Sequence, residues 1–209
     1  MNQKITREEL ERAFDARFPA EIKEKMNAAR VAVAGLGGLG SQIAVMLARS
    51  GVGHLHLTDF DCVDVTNLNR QMYFVEHLGR PKTEALAELL RKINPWIDLE
   101  LHQMRVTEQD IPDLYQSYPF VCEAFDKPDQ KAMLVRTLLK TCPETTVVSG
   151  NGMAGYADAD TIHTERRFRR LYVCGDGTTD VGDGIGLMAP RVSVCAGHMA
   201  NKVVQLILQ

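Results

Sequence analysis

The chain has 209 residues, 45% of them apolar and 24% charged, with a net charge of −3. These are ordinary globular values and give no electrostatic reason to expect nucleic acid as a partner. No apolar run approaches the ~18 residues that a membrane helix needs, so no membrane association is expected, and the polar start Met1-Asn2-Gln3-Lys4 does not read as a secretory signal. Five cysteines (Cys62, Cys122, Cys142, Cys174 and Cys195) contain no C-x-x-C pair. No four-thiolate zinc site can be built from them, zinc is not expected, and free thiols in a reducing cytoplasm are.

A chain of this length is expected to form one domain over 1–209. Thr6 and Glu9 form a possible capping box opening a helix that runs to Ala29, so 1–29 reads as an N-terminal helical segment ahead of the sheet. Val31–Ala34 is a continuous apolar strand of the kind covered on both faces. Gly35-Leu36-Gly37-Gly38-Leu39-Gly40 follows it and leads into a helix from Ser41 to Ser50, ended by Gly51. Leu55–Thr58 is a strand, and Lys82–Ile93 is a helix stopped by Asn94-Pro95. Further strands are expected at Leu99–Leu101, Phe120–Ala124 and Thr146–Ser149, with a helix at Lys131–Lys140.

This alternation predicts an α/β, Rossmann-like fold: a mostly parallel sheet with helices on both faces and ligands at the carboxyl ends of the strands. The glycine-dense stretch 150–186 breaks the rhythm and reads as an irregular crossover loop, with Thr161–Val173 its only sustained element. A hydrophobic helix from about Pro190 to Leu208 closes the chain.

Gly35–Gly40, between a strand and a helix, can bring backbone N–H groups against a phosphate. Alone it fits NAD, FAD and ATP users alike. Asp59 lies 19 residues beyond Gly40, where a carboxylate accepts hydrogen bonds from a ribose diol; a turn aspartate is the plain alternative. Asp61 divides evenly between a site residue and a turn residue. Arg70 and Lys82 carry the permanent charge that suits β- and γ-phosphates and a leaving pyrophosphate, although a surface cation is usually only solvated. Asp126 follows the fourth strand and could hold Mg²⁺ beside a triphosphate. A helix-cap role is its alternative, and Asp129 fits that role better.

Gly35–Ser41, Asp59-x-Asp61, Asn67-x-x-Arg70-Gln71, Gly79-Arg80-Pro81-Lys82, Asn94-Pro95 and Asp126, in that order, resemble the adenylation domain of the ubiquitin-activating-enzyme superfamily. The likeness is to its bacterial ThiF/MoeB/HesA branch and covers about Ala29 to Gln209. It implies an adenylyltransferase that uses ATP and Mg²⁺ on the terminal Gly-Gly carboxylate of a small ubiquitin-like sulfur carrier protein, in thiamine biosynthesis. The glycine loop (Gly35, Gly37, Gly38, Leu39, Gly40) with Asp59 and Asp61 would bind nucleotide. Asn67, Arg70 and Lys82 would contact phosphates, and Asp126 would serve the metal. A symmetric homodimer is also implied, with Arg17 the candidate for an arginine inserted into the neighbouring site.

The chain departs from the family in lacking two C-x-x-C pairs and in stopping at Gln209, before the further strands that relatives usually carry. Cys174, beside Gly175 and Gly177, is expected on an exposed loop where Arg169 and Arg170 would lower its pKa and let it take the activated acyl group; a bystander thiol is the alternative. Arg166, Arg167, Arg169 and Arg170 form one basic cluster, read as a face for the carrier or as a solvated strand edge. The rival readings are activation of another carboxylate (a different carrier, a peptide or a tRNA base), a non-enzymatic subunit with a vestigial pocket, and an NAD-dependent oxidoreductase.

Overall fold

The apolar run after the N-terminal helices is strand β1, Arg30–Ala34, and every residue from Val31 on is buried. Its side chains alternate between two cores, Val31 and Val33 facing one and Ala32 and Ala34 the other. The computed structural model describes residues 5–209. It builds seven strands into one sheet of order β3-β2-β1-β4-β5-β7-β6. Here β2 is His54–Asp59, β3 Asp98–Gln103, β4 Phe120–Glu123, β5 Thr146–Gly150, β6 His163–Phe168 and β7 Leu171–Gly175. All pairs are parallel except β6 with β7.

Helices α3 (Gly38–Arg49), α4 (Lys82–Ile93) and α7 (Ala189–Leu208) cover one face, burying Ile43, Leu47, Leu86, Leu90 and Met199 with Leu55 and Leu57 of β2. On the other face α5 (Ile111–Tyr115) and α6 (Pro128–Thr141) close over Tyr115, Tyr118, Val121, Leu134, Leu138 and Val147. The Rossmann-like expectation therefore holds. No described helix is long and apolar enough to cross a membrane.

Three local expectations need correction. The predicted helix Thr6–Ala29 is two helices, α1 (Arg7–Asp15) and α2 (Ala20–Ala28). Thr6 and Glu9 do form the capping box of α1. The break is Pro19, the N-cap of α2 at φ −53°, ψ 145°; a proline also drives the residue before it, Phe18, out of the helical region. Second, 150–186 is not one irregular crossover. Its middle is a β-hairpin, β6 and β7, turning at Arg169-Arg170 with a register shift between Arg166 and Phe168. No glycine or asparagine marks that turn, so the two strands read as one element.

The third correction follows from the second, because the basic cluster divides. Arg170 donates to the carbonyls of Leu139, Cys142 and Thr145 at 2.7–2.8 Å and so closes the carboxyl end of α6. Arg166, Arg167 and Arg169 remain exposed along the edge.

Candidate active site

Strand order reverses between β1 and β4, and such a switch point opens a crevice at the strands' carboxyl ends. Here it is a cleft of about 590 Å³. Gly35 leaves β1 at φ +88°, and a Cβ on it would stand 2.7 Å from the Ala124 carbonyl oxygen, so only glycine lets the two strand ends separate there. At Gly40 a Cβ would collide with the Gly35 carbonyl, so α3 packs directly onto the loop. The helix begins at Gly38, earlier than the expected Ser41, because these glycines are needed inside its first turn. Its N-cap, Gly37, offers no side-chain acceptor. The first-turn N–H groups therefore stay open to an anion, with the positive end of the helix dipole behind them.

The carboxylate of Asp59, at the end of β2, accepts the N–H of Leu36 at 2.6 Å and of Asp61 at 2.8 Å. Burial pushes its pKa up from the ordinary value, opposed by the Lys82 ammonium and by those N–H groups. Each oxygen keeps a second lone pair for a diol. Lys82 opens α4 with its side chain almost fully buried, and its Nζ donates to Asp61 Oδ2 at 3.0 Å. The loop between them is tied down through Tyr73, whose hydroxyl donates to the Leu36 carbonyl at 2.9 Å.

Arg70 is held from α3. Gln42 Nε2 donates to its carbonyl at 3.0 Å, and Ser41 Oγ accepts the N–H of Met72 at 3.2 Å. Its guanidinium donates to the Thr66 carbonyl and to Asn69 Oδ1, at 3.0 and 2.7 Å. Asn67 is buried and accepts the N–H of Asp64 at 3.0 Å.

Asp126 stands exposed on the rim after β4, with no hydrogen-bond partner among the described residues. It does not cap α6, whose N-cap is Lys127; Asp129 lies inside the first turn and makes no cap bond either. Beneath the rim, the fully buried Glu123 accepts the N–H of Phe125 at 2.8 Å, the Lys131 ammonium at 2.8 Å and the Ser149 hydroxyl. That network fixes the peptide immediately before Asp126.

The structure thus brings Gly35, Gly37, Gly38, Leu39, Asp59, Asp61, Asn67, Arg70, Lys82 and Asp126 to one cleft, with Gly40 packed behind its floor. Sequence reasoning passed over Arg105, Phe125, Lys131, Asn151 and Asp180, which also line it. Their usable signal is position, since Arg105 and Asn151 follow the ends of β3 and β5. The two positioning residues Ser41 and Gln42 carried no signal outside the glycine motif.

Cys174 does not join them. It lies in strand β7, fully buried, its sulfur 3.3 Å from Thr164 Oγ1, and burial pushes the thiol's pKa up. The expected exposed, electropositive loop setting is corrected accordingly: Arg170 is committed to α6, and a buried, raised thiol is a poor nucleophile. Arg17 is exposed just past α1. Phe14 and Phe18 on either side of it line a groove with Gly53 and Trp96, at the amino ends of β2 and β3, so within one chain Arg17 lies at the end of the sheet away from the cleft.

The model of the ThiF family matches residues 10–209. The molybdopterin-synthase adenylyltransferase of Salmonella typhimurium is 31% identical over 91% of this chain and 77% of its own length. The adenylyltransferase and sulfurtransferase uba4 of Aspergillus terreus is 37% identical over 57% of this chain, which spans only 25% of that protein. Among solved structures, Escherichia coli tRNA N6-threonylcarbamoyladenosine dehydratase, TcdA, in complex with ATP superposes with a TM-score of 0.87 at 22% identity, over 99% of this chain and 97% of that one. At that identity the likeness is one of fold.

Proposed function

Since the chain belongs to the ThiF family, we propose that it adenylates a carboxylate with ATP, releasing pyrophosphate. The observation that carries this reading is the convergence, in one cleft, of an uncapped helix start, a buried ribose-type carboxylate, the cations Arg70 and Lys82, and a rim carboxylate unpaired among the described residues. The substrate carboxylate is ionised at neutral pH and needs no general base. The chain's work is to hold two anions together and to offset the charge that grows on the departing pyrophosphate. The amino end of α3 meets the phosphates, Asp59 orients the ribose, and Arg70 and Lys82 supply the positive charge.

A hard, exposed carboxylate with no competing partner among the described residues fits Mg²⁺, so Asp126 would hold the ion with the phosphates completing its shell. When bound, Mg²⁺ adds electrophilic charge at the phosphates.

We assign as substrate the Gly-Gly carboxylate of a small ubiquitin-like sulfur carrier, with thiamine biosynthesis the pathway. The support is that relatives of this sequence are adenylyltransferases and that one joins adenylation to sulfur transfer in its name. A tRNA-borne carboxylate is the second reading, favoured by the exposed Arg166, Arg167 and Arg169 and by the end-to-end likeness to the tRNA-modifying TcdA. Exchange of labelled pyrophosphate into ATP tests the proposal. Exchange is expected with a Gly-Gly carrier and not with tRNA; exchange with tRNA alone would select the second reading. No exchange with either, together with retention of NADH, would return the chain to the oxidoreductases.

The same reading includes a symmetric homodimer in which Arg17 acts only across the interface, since its own cleft lies at the other end of the sheet. Light scattering is expected to give twice the chain mass. A fully active monomer at all concentrations would remove both the dimer and Arg17.

A further inference from the structure

The face of the sheet under α5 carries a second cluster that the adenylation reading does not use. Parallel strands inside an α/β sheet are ordinarily apolar on both faces. Here His54, His56 and Thr58 of β2 stand in register against Asp98, Glu100 and His102 of β3, the edge strand. Leu55, Leu57, Leu99 and Leu101 alternate with them onto the other face.

Most of these polar groups pair among themselves. His54 bridges Asp98 at 2.6 Å and the Tyr118 hydroxyl at 2.9 Å, and Tyr118 donates to Glu100 Oε2 at 2.7 Å. His102 Nε2 contacts Glu100 Oε1 at 2.9 Å. The exception is His56. It is fully buried, its Nε2 meets Thr58 Oγ1 at 3.0 Å, and its Nδ1 has no well-formed hydrogen bond among the described residues, the Leu114 backbone offering at most a weak one. A buried ring nitrogen so poorly satisfied is unfavourable unless something completes it.

One ligand atom from each of His56, Glu100 and His102 lies within 4.8 Å of the other two. Two imidazoles and a carboxylate form a donor set suited to zinc. Glu100 and His102 are 45% and 34% exposed, which leaves a path for an ion.

We propose that His56, Glu100 and His102 bind one divalent transition-metal ion of the zinc type, with water in the remaining position. The site differs in kind from the thiolate sites that the cysteine count excludes. It ties the edge strand to β2 directly below the cleft: His56 lies three residues before Asp59, and His102 two before Met104, both of which line it. Its role is a clamp that holds β3 and the following Met104–Val106 segment against β2. The inference is independent of the adenylation reading and can fail or stand without it.

The test uses the full chain stripped with a chelator, then dialysed against Zn²⁺ alone and, separately, Co²⁺ alone. The site requires one bound ion per chain, a Co²⁺ visible spectrum of low-symmetry nitrogen/oxygen coordination, and a Zn²⁺-dependent rise in Tm. Glu100→Gln alters an exposed side chain and His102→Ala a half-buried one, and both are expected to fold; each should weaken Zn²⁺ binding by at least the roughly 10–100-fold seen for outer partners of metal ligands. His163→Ala and Cys62→Ser, both away from the cluster, should bind as the parent does. No stoichiometric Zn²⁺ in the parent, or equal affinity in His102→Ala, would overturn the site.

Discussion

Asp126→Ala is expected to lower carrier-dependent pyrophosphate exchange by about 10²–10³-fold at saturating ATP, the range for a single lost stabiliser of transition-state charge. Its folding free energy should stay within about 0.5 kcal/mol of the parent, because the side chain is exposed and bonds to nothing among the described residues. The two readouts separate a site carboxylate from a structural one. Raised Mg²⁺ should recover part of the lost rate, since the phosphates keep their share of the ion's ligands. Near-normal exchange in Asp126→Ala would reduce this carboxylate to a spectator. An unfolding midpoint that falls with the rate would mean that the loss came from the fold.

Arg191→Met is expected to have the largest effect on stability, a loss of about 2–3 kcal/mol, because it removes a largely covered charge pair and leaves two loop carbonyls without their donor. Arg191 sits in the first turn of α7 with 3% of its side chain exposed, paired with Asp176, whose carboxylate is largely covered. Its guanidinium also donates to the carbonyls of Ala157 and Asp158 at 2.8 and 2.6 Å. Asp176 in turn accepts the N–H groups of Thr178 and Thr179 at 2.8 and 2.9 Å.

One guanidinium therefore fastens two otherwise irregular stretches, 151–162 and 176–188, to α7. Those stretches supply Asn151, Met153, Thr179, Asp180 and Leu187 to the cleft, so the KM for ATP should rise together with protease cleavage between 176 and 188. Arg191→Lys should recover little, because an ammonium cannot reproduce the planar fork. Urea unfolding reads the first effect and limited proteolysis the second. An unchanged midpoint would show the pair to be dispensable.

The parts of this fold legible in the sequence are those where a local rule and the tertiary answer agree. Val31–Ala34, Lys82–Ile93 and the helix from Pro190 were each marked by an unbroken apolar pattern with a clear stop or start. The glycine loop was legible because glycine alone satisfies both the φ of Gly35 and the contact at Gly40. Illegible features depend on partners distant in the chain. The hairpin at Arg169-Arg170 has no turn residue to announce it, and the arginine that looked free is fixed by three carbonyls of another helix end. Cys174 seemed exposed because glycines follow it, yet pairing with β5 and β6 buries it. Pro19 does carry a local signal for the break between α1 and α2, one that the reading of Thr6–Ala29 as a single helix leaves out. Glu123 with Lys131, and His56 with Glu100 and His102, are contacts that no spacing along the chain reveals.

The central claim is that ATP is cut between its α- and β-phosphates by attack of a substrate carboxylate. The direct measurement is product analysis of one incubation containing the chain, ATP, Mg²⁺ and a Gly-Gly carrier labelled with ¹⁸O at its terminal carboxylate, with a thiol added to discharge the intermediate. The account predicts AMP and pyrophosphate, with one ¹⁸O atom carried into AMP, because the carboxylate oxygen bonded to the α-phosphorus leaves with it. Formation of ADP and phosphate, or of AMP free of label, would contradict it.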